Sequence, residues 1–147
     1  MAMDDEKASP AKWLEFPHAR VAQVRIARPT HQLQNVIAFY RDGLGLREIG
    51  RFKGHDGYDG VMLGLPGLTY HLEFTQRDGA TPCPAPSKDN LIVLYVQDLH
   101  ELTRMRNRLE AFGYSPVAPE NPFWSDKSVT FEDPDGWRVV LCNTSGL

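Results

Sequence analysis

The sequence predicts an α+β fold built from two βαβββ modules, and three observations carry that prediction. Short runs with period-two alternation stand beside helical faces whose apolar residues recur every three or four positions. Glycine and proline clusters separate these runs in the same order twice. The second set follows the first at an offset of about 67 residues, as an internal duplication would place it.

The first element is the run 20–27, where Ala22, Val24 and Ile26 alternate with Val21, Gln23 and Arg25, so one strand face is half polar. Pro29 and Thr30 suit the start of a helix, and Leu33, Val36, Ile37, Tyr40 and Leu44 keep helical spacing until Gly43 and Gly45 stop it. Phe39 and Tyr40 are placed to seal that helix onto a sheet. After Leu46 come short strand-like runs, broken at Gly54, His55, Asp56 and Gly57 and again at Pro66 and Gly67. The last of them, 69–76, sets Tyr70, Leu72 and Phe74 against Thr69, His71, Glu73 and Thr75. Gly79, Pro82, Pro84 and Pro86 then resist regular structure and mark a linker.

The second half repeats the plan. A strand over 91–96 leads to a helix face of Leu99, Leu102, Met105, Leu109 and Phe112, ended by Gly113. Short strands follow, and 128–132 runs into the turn Asp133, Pro134, Asp135, Gly136. The final run 137–142 sets Trp137, Val139 and Leu141 opposite Arg138, Val140 and Cys142. The expected division is an N-terminal arm, 1–17, whose tip frays and whose Trp13, Leu14 and Phe16 dock onto the body, then one domain, 18–147. Within that domain, module one is 18–77, the linker 78–89 and module two 90–147. Two such modules, set side by side, curl into a curved mixed sheet with helices outside and polar strand faces lining a ligand cavity.

Composition narrows the function. The net charge of -3 provides no basic field for nucleic acid. The apolar runs are strand-sized, far short of the roughly 20 residues that span a bilayer. The start Met1, Ala2, Met3, Asp4, Asp5, Glu6, Lys7 lacks the basic and apolar regions of a signal peptide, so a cytoplasmic protein with Cys83 and Cys142 as free thiols is expected. No phosphate-binding glycine loop, nucleophile elbow, His-Glu-x-x-His or Cys-x-x-Cys occurs.

The segment Phe39, Tyr40, Arg41, Asp42, Gly43, Leu44, Gly45, Leu46 resembles the helix end of vicinal-oxygen-chelate proteins: glyoxalases, bleomycin-resistance proteins and dioxygenases. So does Phe131, Glu132, Asp133, Pro134, Asp135, Gly136, Trp137, Arg138, and the likeness spans residues 20–143. Asn121, Pro122, Phe123 and Trp124 further resemble the YycE-like branch. The resemblance implies the glyoxalase/bleomycin-resistance fold. It also implies a metal site in which the first and last strands of each module supply one ligand each. Here those positions read as Gln23 and Glu73 in module one and as Leu91 and Val140 in module two, and the latter pair has no lone pair to offer. A catalytic site needs three protein ligands and an open position, so no cofactor is expected; a divalent ion would have to recruit His71 to the half-site.

Each residue has a second, plainer reading. Glu73 is a catalytic base or ligand contact, or a carboxylate paired with Arg25 or Arg138. Gln23 binds ligand, or hydrogen-bonds that carboxylate. His71 contacts ligand, or is a satisfied wall residue. Arg25 and Arg138, on inward faces, form a bidentate clamp for an anionic ligand. Trp124, beside Phe123, covers a flat ligand or packs the module interface. Asp133 to Gly136 read as hairpin chemistry and not as paired acids, while His18, His31, His55 and His100 read as surface.

Two main functions follow from the resemblance: a metal-free protein that binds a small aromatic or cationic compound, or a divalent-metal-dependent lyase, isomerase or dioxygenase. A scaffold role without a ligand is the third. The resemblance also implies a homodimer in which modules of two chains share one cavity.

Overall fold

The computed structural model describes residues 19–147, so the expected arm, with Trp13, Leu14, Phe16 and His18, lies outside the described residues. Strand β1 is Val24–Pro29, starting where the Val24 N–H donates to the Thr69 carbonyl (2.8 Å). Gln23 and the residues before it fall outside the ladder. Pro29 ends the strand, and the Thr30 hydroxyl accepts the Gln32 N–H (3.1 Å) as the chain turns into helix α1, Leu33–Ile37.

That helix then widens into a π-helical turn, Ala38–Gly43, in which the Leu44 N–H reaches back to the Phe39 carbonyl (2.9 Å). The neighbouring rings of Phe39 and Tyr40 are both fully buried there, Tyr40 against Phe74 with centroids 4.6 Å apart. Strands β2 (Arg47–His55), β3 (Tyr58–Gly64) and β4 (Tyr70–Arg77) complete module one. Their sheet has the order β1-β4-β3-β2, with β1 parallel to β4.

Module two is a shortened copy. Strand β5 (Leu91–Tyr95) leads to helix α2 (Leu99–Ala111), capped by Asp98, whose carboxylate accepts the His100 N–H (2.9 Å). Strands β6 (Ser128–Glu132) and β7 (Arg138–Cys142) give the order β5-β7-β6, again with first strand parallel to last. Where module one has the whole of β2, module two has a single bridge between Val117 and Thr130. On α2, Leu102, Met105 and Leu109 are buried, whereas Leu99 and Phe112, read as part of the same face, are exposed. No helix among the described residues is long and apolar enough to cross a membrane, and Cys83 and Cys142 are free thiols.

One core unites both modules, running from Leu33, Phe39 and Phe74 to Leu109, Phe131 and Leu141. The helices meet at Gly43, where a Cβ would lie 2.7 Å from Leu109 Cδ2. Arg108 donates to the carbonyls of Gly43 (2.9 Å) and Leu44 (3.2 Å), satisfying groups that the end of α1 leaves open. The two sheets stay separate, with no ladder joining β1 to β5.

Candidate functional site

Cross-strand register sorts module one into two faces. Ile26, Leu72, Phe74, Val61 and Leu63 share the face beneath α1, and all but Ile26 are buried. Arg25, His71, Glu73, Met62, Gly60 and Phe52 share the opposite face, which no helix among the described residues covers. On it the structure brings together three of the residues singled out from the sequence. Arg25 Nε donates to His71 Nε2 (2.8 Å), and Arg25 Nη1 donates to Glu73 Oε2 (3.1 Å). His71 is buried and accepts through Nε2, so its ring proton sits on Nδ1, which is itself buried without a partner. Of the two arginines considered as partners for Glu73, the structure pairs it with Arg25, while Arg138 pairs with Glu132.

Gln23 stands one residue before β1, exposed, and the Glu73 carboxylate takes Arg25 in its place. Arg138 is buried in module two, where it donates to the Ala118 carbonyl (2.9 Å) and to Glu132 (2.9 Å). Val140 and Thr130 share its sheet face and are buried too. Trp124 lies half-buried in the 3-10 turn Pro122–Ser125, edge-on to Phe123 at 4.9 Å. No hydrogen bond joins Arg138 or Trp124 to the Arg25 cluster. A cavity of about 600 Å³ does lie between the modules, but Leu44, Leu65, Leu68, Tyr70, Tyr95 and Met105 are among its walls and none of the six candidate residues is.

Comparison with known proteins fixes the family. The YycE-like N-terminal domain model matches residues 24–75 and the YycE-like C-terminal domain model matches 89–143. The uncharacterized protein YycE of Bacillus subtilis (strain 168) is 52% identical over 132 residues, covering 90% of this chain and 95% of its own. The chain belongs to the YycE-like family. It is thereby a member of the vicinal-oxygen-chelate superfamily with a glyoxalase/fosfomycin-resistance fold. The crystal structure of the B. subtilis YycE protein superposes with a TM-score of 0.81 at 53% identity, over 86% of this chain and 92% of that one. Glyoxalase I of Leishmania major (TM-score 0.66, 23% identity, 86% and 88% covered) shares the fold. So does TnmS3, an antibiotic binding protein from Streptomyces sp. CB03234 (0.60, 20%, 85% and 98%).

The fold family implies a divalent metal, and the donor chemistry of this YycE-like chain does not fit one. Of the four positions, Leu91 and Val140 have no donor atom, and Gln23 is off the ladder. The one remaining position, Glu73, and the neighbouring His71 lone pair already hold the cationic guanidinium of Arg25. A metal there would have to displace a like charge. Among the described residues, no three His, Cys, Asp or Glu side chains are grouped to bind an ion.

A second cluster, invisible in the sequence reading, ties the modules together. Arg28, on the core side of β1, forms ion pairs with Asp133 and with Asp135 (2.8 Å for the latter). Its guanidinium lies over the rings of Phe74 (4.9 Å) and Trp137 (5.4 Å). Tyr40 donates to Asp133 (2.7 Å), and Gln32 donates to Asp135 (2.7 Å). Asp133 also accepts the Asp135 and Trp137 N–H groups, which is the turn chemistry expected of this segment. Burial pushes the Asp133 carboxyl above its ordinary range despite Arg28 and Tyr40. At Asp135 burial acts in the same direction, but the contacts from Gln32, Arg28 and Thr30 outweigh it and hold that carboxyl below its range. His31, read as surface, is half-buried beside Asp135, while His55 and His100 are exposed as expected. Two acids bounding one tight turn were the available signal; what the sequence lacks is the partner, because an arginine 105 residues upstream looks like any other strand arginine.

Proposed function

We propose that this chain is a small-molecule binding protein of the glyoxalase/bleomycin-resistance type that works without the superfamily's metal, with the guanidinium of Arg25 standing where a metal cation would. The observation that supports this reading most is the double engagement of Arg25, by His71 at 2.8 Å and by Glu73 at 3.1 Å. Glu73 and His71 then act as positioning residues: they hold Arg25 against the sheet with one edge turned outward, a charge-assisted arrangement that costs little reorganisation when a ligand arrives. An antibiotic binding protein with the same fold is consistent with such a role. The working unit is a homodimer, a reading supported by the open sheet face that the described residues of one chain present.

The test is elemental mass spectrometry of purified protein incubated in turn with Ni, Zn, Mn and Fe and then exhaustively desalted. Substoichiometric metal throughout is the expected result. One tightly held ion per chain would overturn the reading and redirect work to lyase and dioxygenase assays.

A further inference from the structure

We propose that the open face of the first sheet takes an amphipathic organic anion, with a carboxylate or phosphonate on the outer edge of Arg25 and an apolar ring over Met62 and Phe52. This rests on the ligand-binding reading above and names the ligand's chemistry.

The accessible charge on this face is the cation. The Arg25 side chain is 49% exposed and that of Glu73 only 14%, so an incoming group meets the guanidinium before the carboxylate. Of the five N–H groups in a guanidinium, one goes to His71 and one to Glu73, and the two on Nη2 have no partner among the described residues. Both are charge-assisted donors, free to hydrogen-bond the oxygens of an oxyanion. A cationic ligand would have to approach Glu73 through Arg25, against a like charge.

Beside this edge the sheet is floored by glycine. Gly64 pairs with His71, Gly60 with Thr75 and Gly50 with Met62, all on the same face. A Cβ on Gly50 would stand 2.6 Å from the Met62 methyl, and one on Gly60 would strike the Phe52 ring. Both side chains therefore lie down across the sheet and do not stand up from it. The result is a low apolar floor that begins next to Glu73, the cross-strand partner of Met62. Methionine and phenylalanine presented this way suit an aromatic or aliphatic body, the sulfur favouring a ring.

The experiment follows the methionine methyl signals of the full chain by NMR, with Met62→Leu assigning the Met62 peak. Four probes share one ring: phenylacetate, phenylphosphonate, 2-phenylacetamide and phenethylamine. Saturable shifts of the Met62 methyl by one or both anions are expected, with the amide and the amine weaker by about tenfold or more. Arg25→Gln should cost the anions about the same factor, and Phe52→Ala should weaken every ring-bearing probe several-fold. Amine or amide binding as tight as the anions, or anion affinity indifferent to Arg25→Gln, would overturn the anion assignment while leaving a binding protein in place. No saturable shift with either anion also overturns it, and the metal measurement stands independently of that result.

Discussion

Two arginines three residues apart on β1 have opposite fates because successive strand positions face opposite ways. Arg25 points to the open face and keeps a free edge; Arg28 points inward, where its side chain is 10% exposed and faces two buried carboxylates. The second arrangement holds module two's hairpin to module one's first strand. Burying these charges is tolerable only because each is paired and further hydrogen-bonded. Arg28→Met should therefore leave Asp133 without its counter-charge and lower unfolding free energy by about 3–5 kcal/mol, measured by urea denaturation. A loss below about 1 kcal/mol would mean that the cluster is solvated and not a lock. Alternation along β1 and β4 made the face of Arg25, His71 and Glu73 legible from the sequence alone. The pairing of Arg28 was not, since it depends on how the modules are docked, which no local period encodes.

At the scale of elements, the succession of strands and helices along the chain follows from periodicity, whereas the sheet orders β1-β4-β3-β2 and β5-β7-β6 come from the structure. The repeated αβ pattern was readable because the apolar faces of both helices and of both closing strands are regular. Leu99 and Phe112, at the two ends of α2, nevertheless stay exposed. The widening of α1 at Ala38–Gly43 was also unreadable: nothing in Phe39, Tyr40, Arg41 distinguishes an i+5 from an i+4 hydrogen bond before the neighbours are known. That turn delivers Gly43 against Leu109, where there is no room for a methyl group. Gly43→Ala should thus force Leu109 aside and cost about 1–3 kcal/mol, although alanine is the better helix former. Thermal unfolding checks the sign; a stabilised variant would show that the contact relaxes freely and that helix propensity decides.

For the whole molecule, what remains to be explained is the exposure of β1 and β5. Each is an edge of its own sheet, and each carries apolar side chains that stay exposed among the described residues: Val24 at 48%, Ile26 at 56% and Tyr95 at 48%. Proteins normally blunt such edges, and no bulge, proline or lysine does so within β1 before Pro29 or within β5. A second copy offers the cheapest cover, since a two-fold arrangement that sets β1 of one chain beside β5 of the other buries both edges twice. It would also lay module two of the partner over the sheet face that holds Arg25 and enclose it. Light scattering coupled to gel filtration should then give twice the monomer mass, and a strict monomer at all concentrations would sink the idea. Ile26→Lys separates edge pairing from other contacts, because it changes the edge strand without touching Arg25, His71 or Glu73. The variant should dissociate into monomers and lose anion binding with the dimer. Monomers that bind as tightly as the parent protein would show that one chain makes the whole site.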